Sequence, residues 1–335
     1  MTPPECPDIK GVLVLPHLRV QNANAVSSPL TWGFPSITAF TGFMHALERK
    51  LDADFPLIFN AVGVICHSFE AQATTGGFTR SFHLTRNPIK SNGETAAIVE
   101  AGRVHLDVTL VFGVSGGALS CDHAERQRIA TTVADHVARM RLAGGSILPS
   151  ISAPGTPPRT ARAELHALAD DPDARSADFR RLRRRWLPGF ALVSRDDLLE
   201  HKLAELKQHN QEATVLDAWL DLSRLSYHAE HITTPGAGPE GVEWSAIRKP
   251  GWCVPIPVGY GALSPLHAAG EVVNARDDCT PHRFVESLYS IGQWIAPHRI
   301  ESARDLLWYA HTDPEGGLYR CHNDFNPTSS HSSGI

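Results

Sequence analysis

Between Gly11 and Gln21 (GVLVLPHLRVQ), apolar side chains at Leu13, Leu15, Leu18 and Val20 surround a single proline, Pro16. This spacing predicts a first strand with one irregularity. The stretch 22–35 is rich in Asn, Ser, Pro and Gly and is expected to form a long ordered loop. Phe40, Phe43, Met44 and Leu47 then recur at three- and four-residue intervals, which predicts a helix over 37–51 with Ser36 as its cap. A strand is expected over 57–71, a hairpin around Gly76-Gly77, and a further strand over 103–112. In that last strand Val104, Leu106, Val108 and Leu110 alternate with polar positions.

The strongest helical stripe, Ile129, Val133, Val137 and Met140, lies within 122–142, and Gly144-Gly145 is expected to stop it. Helices are also expected over 177–186, 196–209 and 212–225. The segments 150–178 and 228–245 are soft in composition and expected to be exposed insertions. The last third alternates short strands with Pro/Gly turns and ends, after Asn323, in a polar tail expected to be disordered over 328–335. The order of elements predicts an α+β layer architecture, a single unit over 8–327, and no doubly wound parallel sheet.

Composition narrows the class. Hydrophobic residues at 42% and charged residues at 20% describe a globular chain with material for a core, not a disordered one. No run of 18 apolar residues suggests a membrane span, and Met1–Lys10 has neither a basic start nor an apolar stretch of the kind a secretory signal needs. Six dispersed cysteines without a C-x-x-C pair fit neither a disulfide framework nor a zinc ribbon, so a cytoplasmic location is expected. The formal charge of −5 argues against a uniformly cationic nucleic-acid binder. The cations, however, are 25 Arg against 6 Lys, and guanidinium is the better group for gripping phosphate and stacking on bases. A GC-rich genome explains the same bias.

Chemistry-bearing patterns are few. Gly113-Val-Ser115-Gly-Gly117 fits the G-x-S-x-G nucleophile elbow, but the preceding strand alternates with charged residues, and the motif is expected to be a glycine-rich turn. Cys66-His67, Cys121 with His123, and Cys321-His322 lack a second ligand pair at metal-site spacing, so no metal or other cofactor is expected. No phosphate-binding glycine loop is present. The run Arg180-Arg181-Leu182-Arg183-Arg184-Arg185-Trp186 is distinctive: on a helix its arginines form a stripe for phosphates or an acidic partner, while Leu182 and Trp186 anchor it. The competing reading is a solvated face balanced by Asp170, Asp171, Asp173 and Asp178.

Several loops combine amide or guanidinium groups with glycine or aromatics: 21–24, Trp32-Gly33-Phe34, Thr85-Arg86-Asn87-Pro88, Arg141 ahead of Gly144-Gly145, and Asn274-Ala275-Arg276-Asp277. Asn can read base edges, Trp can stack on a splayed base, and glycine lets backbone N–H groups approach phosphate. Each is also ordinary turn chemistry.

These same stretches, QNANAVSSPLTWGFP from Gln21, LTRNP from Leu84, MRLAGGSILP from Met140, LPGFALVSR from Leu187, NARD from Asn274 and DLLWY from Asp305, resemble the second Csy subunit of type I-F CRISPR surveillance complexes. The resemblance spans about residues 10–320 in order. It implies a RAMP-type fold, a modified RRM or ferredoxin-like core with a thumb-like insertion. It also implies a non-catalytic role: capping the 5′ handle of the CRISPR RNA, pairing with the large subunit and touching the terminal backbone subunit. The assembled complex recognises double-stranded target DNA through guide pairing. On side-chain chemistry, the expected RNA contacts are Asn22, Asn24, Trp32, Arg86, Arg141, Gly144, Gly145 and Arg276. Arg180, Arg181, Arg183, Arg184 and Arg185 are a separate candidate for a partner or phosphate. A serine hydrolase using Ser115 and a protein-only scaffold subunit are the rival readings, and the apolar, Pro-rich stretch from Trp252 to Gly261 is a candidate partner surface.

Overall fold

The structure is a computed structural model, and it describes residues 4–52, 55–77, 79–86, 89–90, 92–149, 162–232, 241–246, 251–275 and 277–327. In chain order the strands and helices are β1 (Gly11–Asn24), β2 (Val26–Ser28), β3 (Thr31–Trp32), α1 (Ile37–Glu48), β4 (Ile58–Ala71), β5 (Ala73–Gly76), β6 (Thr79–Phe82), β7 (Leu84–Arg86), β8 (Ile98–Glu100), β9 (Arg103–Ser115), α2 (His123–Val137), β10 (Arg141–Leu142), β11 (Gly145–Ile147) and β12 (Glu164–Ala167). They continue with α3 (Pro172–Arg183), β13 (Phe190–Ser194), α4 (Asp196–His209), α5 (Val215–Ser223), β14 (Tyr227–Ile232), β15 (Gly241–Ala246), β16 (Trp252–Ala262), β17 (Val285–Ile295), α6 (Ala303–Leu306), β18 (Trp308–Asp313) and β19 (Leu318–Asn323).

The alternation in 103–112 builds the centre of the molecule. β9 lies between β1 and β4, antiparallel to both, with Leu13 opposite Phe112 and Val62 opposite Phe112 on the other side. β11 and β12 share the far edge of β1: β12 pairs with Gly11–Val14 and β11 with Val20 and Gln21. The spatial order of the first half is therefore β11-β1-β9-β4, with α1 joining β1 to β4 and α2 joining β9 to the β10–β11 hairpin. The sheet continues β4-β13-β17-β16-β19-β18, and β18 returns to β4 where Trp308 faces Val62. These six strands close into a ring. Trp308 is fully buried, and its indole N–H donates to the Leu192 carbonyl at 2.8 Å.

One face of the central sheet is covered by α1 and α2. Ser36 caps α1 by accepting the Thr38 N–H, and Ile37, Phe40, Phe43, Met44 and Leu47 are buried against Leu13, Leu15, Leu110 and Phe112. Each such large apolar side chain contributes about 1.5–3 kcal/mol. On the opposite face, Val12, Val14, Ile65 and Val111 pack against Phe179, Leu182, Trp186 and Leu306, so that α3 and α6 cover only this end of the strands. Leu182 and Trp186 are the anchors expected of them.

Several expectations are corrected. The loop expected over 22–35 contains the end of β1 and the small β2–β3 hairpin. The helix expected over 122–142 ends at Val137, and Gly144-Gly145 serves the tight β10–β11 turn, where Ala143 and Gly144 both have positive φ, 48° and 77°. Such a two-residue turn matches the strand twist; apolar periodicity alone does not distinguish the last turn of a helix from a short strand. Of the insertion expected over 150–178, residues 150–161 lie outside the described residues. Glu164–Ala167 is a strand of the main sheet, and α3 begins at Pro172 behind the Asp171 cap. In 228–245, β14 and β15 form a two-stranded arm, with 233–240 outside the described residues. In place of short strands, β16 and β17 run 11 residues each. The tail at 328–335 also lies outside the described residues; before it, the Asp324 carboxylate accepts from the Tyr309 hydroxyl at 2.7 Å.

Candidate nucleic-acid interface

The period of two along β9 that buries Val104, Leu106 and Val108 on the helix-covered face sends Arg103, His105 and Asp107 to the other face. There α3 and α6 no longer reach. Register gives them neighbours on the flanking strands: Asn24 opposite Arg103, Arg19 opposite Asp107, Glu70 opposite His105 and Ser68 opposite Asp107. Farther out, Gln21 lies opposite Ser146, which also faces Arg141. Arg19, Gln21, Asn22, Asn24, Ser68, Glu70, Arg141 and Ser146 are exposed. The result is an open, polar sheet face across β11, β1, β9 and β4. Among the described residues, Arg19, Arg103 and Arg141 make no ion pair.

Five of the expected contacts come together here. Asn22 sits at a register shift in β1 with φ 57°, and its N–H donates to His105 Nδ1 at 3.1 Å. The Asn24 N–H donates to the Ala143 carbonyl at 2.8 Å, tying β1 to the β10–β11 turn that carries Arg141, Gly144 and Gly145. Gly145 is there because its backbone touches β1: a Cβ would lie 2.7 Å from Ala23 N and 2.8 Å from Gln21 O. Gly144 faces open space. The Asn24 amide is partly committed to a local turn, donating to the Val26 carbonyl at 2.8 Å and accepting the Val26 N–H at 3.2 Å.

Trp32 stands at the rim of this face. It pairs with Val26 in the β2–β3 hairpin, is 42% exposed, and meets Phe82 edge-on with ring centroids 5.5 Å apart. Arg86 lies on β7 opposite Ile98, beyond the β5–β6 hairpin, and is not part of the cluster by register. Arg276 lies outside the described residues, as do Asn87 and Pro88. Arg19, Arg103, His105 and Phe82 were missed in the sequence reading. The signal for Arg103 and His105 was the outward half of the same alternation that located the core.

A histidine pair occupies the inner end of the face. His17 is held at φ 51° in the irregularity after Pro16, and its ring stacks on His67 at 4.1 Å. His17 Nδ1 lies 3.1 and 3.2 Å from the two Asp107 oxygens. His67 Nδ1 is 2.7 Å from the Pro188 carbonyl, which can only accept, so that nitrogen carries a hydrogen. Its Nε2 is 2.7 Å from the buried Thr109 hydroxyl, which also accepts the His17 N–H at 3.2 Å. Burial holds the His67 imidazole below its ordinary range.

The arginine run is divided. Arg183 is drawn inward, donating to the Ile300 carbonyl with Glu301 3.9 Å away. Arg185 grips both Glu164 oxygens at 2.5 and 2.6 Å, and Arg181 lies 3.5 Å from Asp178. Arg180 and Arg184, one turn apart, remain exposed without an ion pair among the described residues. The expected five-arginine stripe is thus a pair, because the helix packs through the face that carries Arg183 and reaches β12 through Arg185. Of the four expected balancing aspartates, Asp178 pairs, whereas Asp171 is the helix cap.

Ser115 ends β9, and its hydroxyl accepts from Asn60 Nδ2 at 3.0 Å; none of its hydrogen-bond partners among the described residues is a histidine or carboxylate. The strand before it is apolar on both faces from Leu110 to Val114, so the alternation argued against an elbow holds only for its first half. Among the described residues no three His, Cys, Asp or Glu groups are placed to hold a metal ion, and no helix is long and apolar enough to cross a membrane.

A family model described as CRISPR-associated protein (Cas_Csy2) matches residues 13–321. The chain is 51% identical over 316 residues, 93% of its length and 95% of the relative's, to CRISPR-associated protein Csy2 of Pseudomonas aeruginosa (strain UCBPP-PA14).

Proposed function

Because the chain belongs to the Csy2 family of CRISPR-associated proteins and is a subunit of a type I-F Csy complex, we propose that it grips the 5′ handle of the CRISPR RNA on its open sheet face. The observation that carries this reading is the contrast between arginines: Arg19, Arg103 and Arg141 stand without an ion pair among the described residues around Asn22, Asn24 and the β10–β11 turn, while Arg183 and Arg185 are taken up by the protein itself. Unpaired guanidinium groups neutralise phosphates, and the amides and the Trp32–Phe82 edge suit unstacked bases. A local cationic face of this kind reconciles RNA binding with the formal charge of −5.

The fold reading deepens the same way. The order β11-β1-β9-β4 with crossover helices α1 and α2 is that of a βαββαβ unit and supports a RAMP-type, modified RRM core. We assign the thumb-like insertion to the β14–β15 arm, which among the described residues does not pair with the main sheet. In this account the subunit performs no bond-breaking, acts in the cytoplasm, pairs with the large subunit and touches the terminal backbone subunit. The exposed Phe190–Trp252 aromatic pair is a surface for those partners, and Arg180 with Arg184 is a phosphate or partner contact. Double-stranded target DNA is met through the assembled complex. Co-expression with type I-F repeat RNA and the other subunits tests the reading. The chain should retain the RNA's 5′ end, and Arg19, Arg103 and Arg141 changed together to Ala should lose it; retention by the triple variant would refute it.

A further inference from the structure

We propose that Arg180, Arg184 and Arg299 form a ridge that grips the phosphodiester backbone of a double-stranded nucleic acid without reading its bases. The inference takes up the Arg180–Arg184 contact of the reading above and assigns its ligand. All three guanidinium groups are exposed, and none makes an ion pair among the described residues. Arg180 and Arg184 stand one helical turn apart, about 6 Å along the axis, a rise over which each strand of a duplex presents about two phosphates. Arg183, between them in the chain, donates to the Ile300 carbonyl and so docks this side of α3 against the short helical turn Pro297–Arg299. Arg299, which ends that turn, is thereby brought to the flank that carries Arg180 and Arg184. Phe179, Leu182, Trp186, Ile300 and Leu306 are buried beneath, so the support is rigid. Burial holds the Arg183 guanidinium below its ordinary range; the charges of Arg180 and Arg184 add to this and Glu301 opposes it. The acids of the second segment are engaged elsewhere: Glu301 lies beside Arg183, and Asp305 accepts the Ser302 N–H.

The composition of the ridge selects the ligand. Over 180–186 and 297–306 no Asn or Gln occurs, and Trp186, the one Phe, Tyr or Trp in these segments, is buried. Single strands are held on stacking aromatics and bases are read by amides; the ridge offers neither. A protein partner needs an apolar centre to its contact, whereas Leu182, Ile300, Ala303 and Leu306 are all turned into the core. Exposed guanidinium groups alone suit a repeating phosphate charge. This division of labour separates the ridge from the open sheet face, where amides and the Trp32–Phe82 edge accompany the arginines.

The test uses the full chain assembled with its complex and a random-sequence DNA duplex unrelated to the guide, with binding measured over a series of salt concentrations. Arg180→Ala, Arg184→Ala and Arg299→Ala together should make the plot of log affinity against log salt shallower by about 2–3, the loss of two or three phosphate contacts. The same three positions changed to Lys should keep the wild-type slope, since a point charge suffices for a phosphate. Both variants should retain the RNA's 5′ end and every other subunit as the wild type does. An unchanged slope in the Ala variant, or no salt-dependent duplex binding by the wild type, overturns the inference. A slope change seen with single-stranded DNA or RNA but not with the duplex overturns it too, as does loss of a neighbouring subunit, which would make the ridge a protein contact. Failure of the wild-type chain to hold the RNA handle refutes the RNA reading and leaves the duplex measurement to decide this one.

Discussion

Arg185 reaches from the end of the arginine run to strand β12 and clasps Glu164 with both guanidinium nitrogens, at 2.5 and 2.6 Å. The hydrogen bonds from Arg185 hold the Glu164 carboxyl below the usual range, with His166 adding to the effect. A depressed carboxylate stabilises the fold above its unfolded-state value and loses that contribution as pH falls through the folded value. Glu164→Gln should therefore cost about 1 kcal/mol near pH 7, a figure discounted for the partial exposure of the pair. The difference from wild type should narrow on acidification toward pH 4. Urea denaturation at a series of pH values measures it, and a pH-independent difference would show that the pair is not responsible.

Arg183 provides the internal control for the RNA account. It is bonded to the Ile300 carbonyl and flanked by Glu301. Arg183→Ala should lower stability by about 1–3 kcal/mol by leaving a buried carbonyl unsatisfied and leave RNA affinity unchanged. Arg141→Ala should do the reverse, with stability within about 0.5 kcal/mol and a salt slope of RNA binding reduced by about 1. Thermal melts and binding isotherms at several salt concentrations separate the two.

The paired glycines of the β10–β11 turn should respond differently. At Gly144, φ is 77° with open space around it, so Gly144→Ala should cost about 1 kcal/mol of left-handed strain. At Gly145 the new methyl meets Ala23 N and Gln21 O, backbone atoms that cannot rotate away. Gly145→Ala should cost more than Gly144→Ala, by about 1–3 kcal/mol for overpacking, and should disturb the Asn22–Asn24 segment. Equal effects would mean that the contact between the turn and β1 is looser than the structure shows.

Trp32 and Phe82 are expected to act as a pair. Trp32→Ala should weaken RNA binding by about 1–3 kcal/mol if a base stacks there. Phe82→Leu should reproduce part of that loss, since it removes the edge that orients the indole. Fluorescence of Trp32, isolated by comparison with the variant, should quench on RNA addition; an unaltered spectrum would remove Trp32 from the site.

Much of this was legible beforehand, and the exceptions have physical causes. The α1 stripe of Phe40, Phe43, Met44 and Leu47, its Ser36 cap and the 196–209 helix follow from local periodicity and capping, and all appear as expected. β12 was hidden because four residues (ELHA) carry no measurable period; only their place beside β1 makes them a strand. Asn22, Asn24, Arg141 and the glycines were found as turn residues with suitable chemistry. Their meeting depends on β11 lying against β1, a contact more than 100 residues distant in sequence that no local pattern encodes. The arginine run misled for the converse reason. Its composition suggests a stripe, but the partners of Arg183 and Arg185, Ile300 and Glu164, come from separate elements.

The most direct measurement is photocrosslinking of a CRISPR RNA carrying 4-thiouridine in its 5′ handle within the assembled complex, with the joined peptides identified by mass spectrometry. Crosslinks should map to peptides containing Arg19–Trp32, Phe82, Arg103–Asp107 and Arg141–Ser146. Handle crosslinks confined to other subunits, or to the α4–α5 side of this chain, would contradict the account.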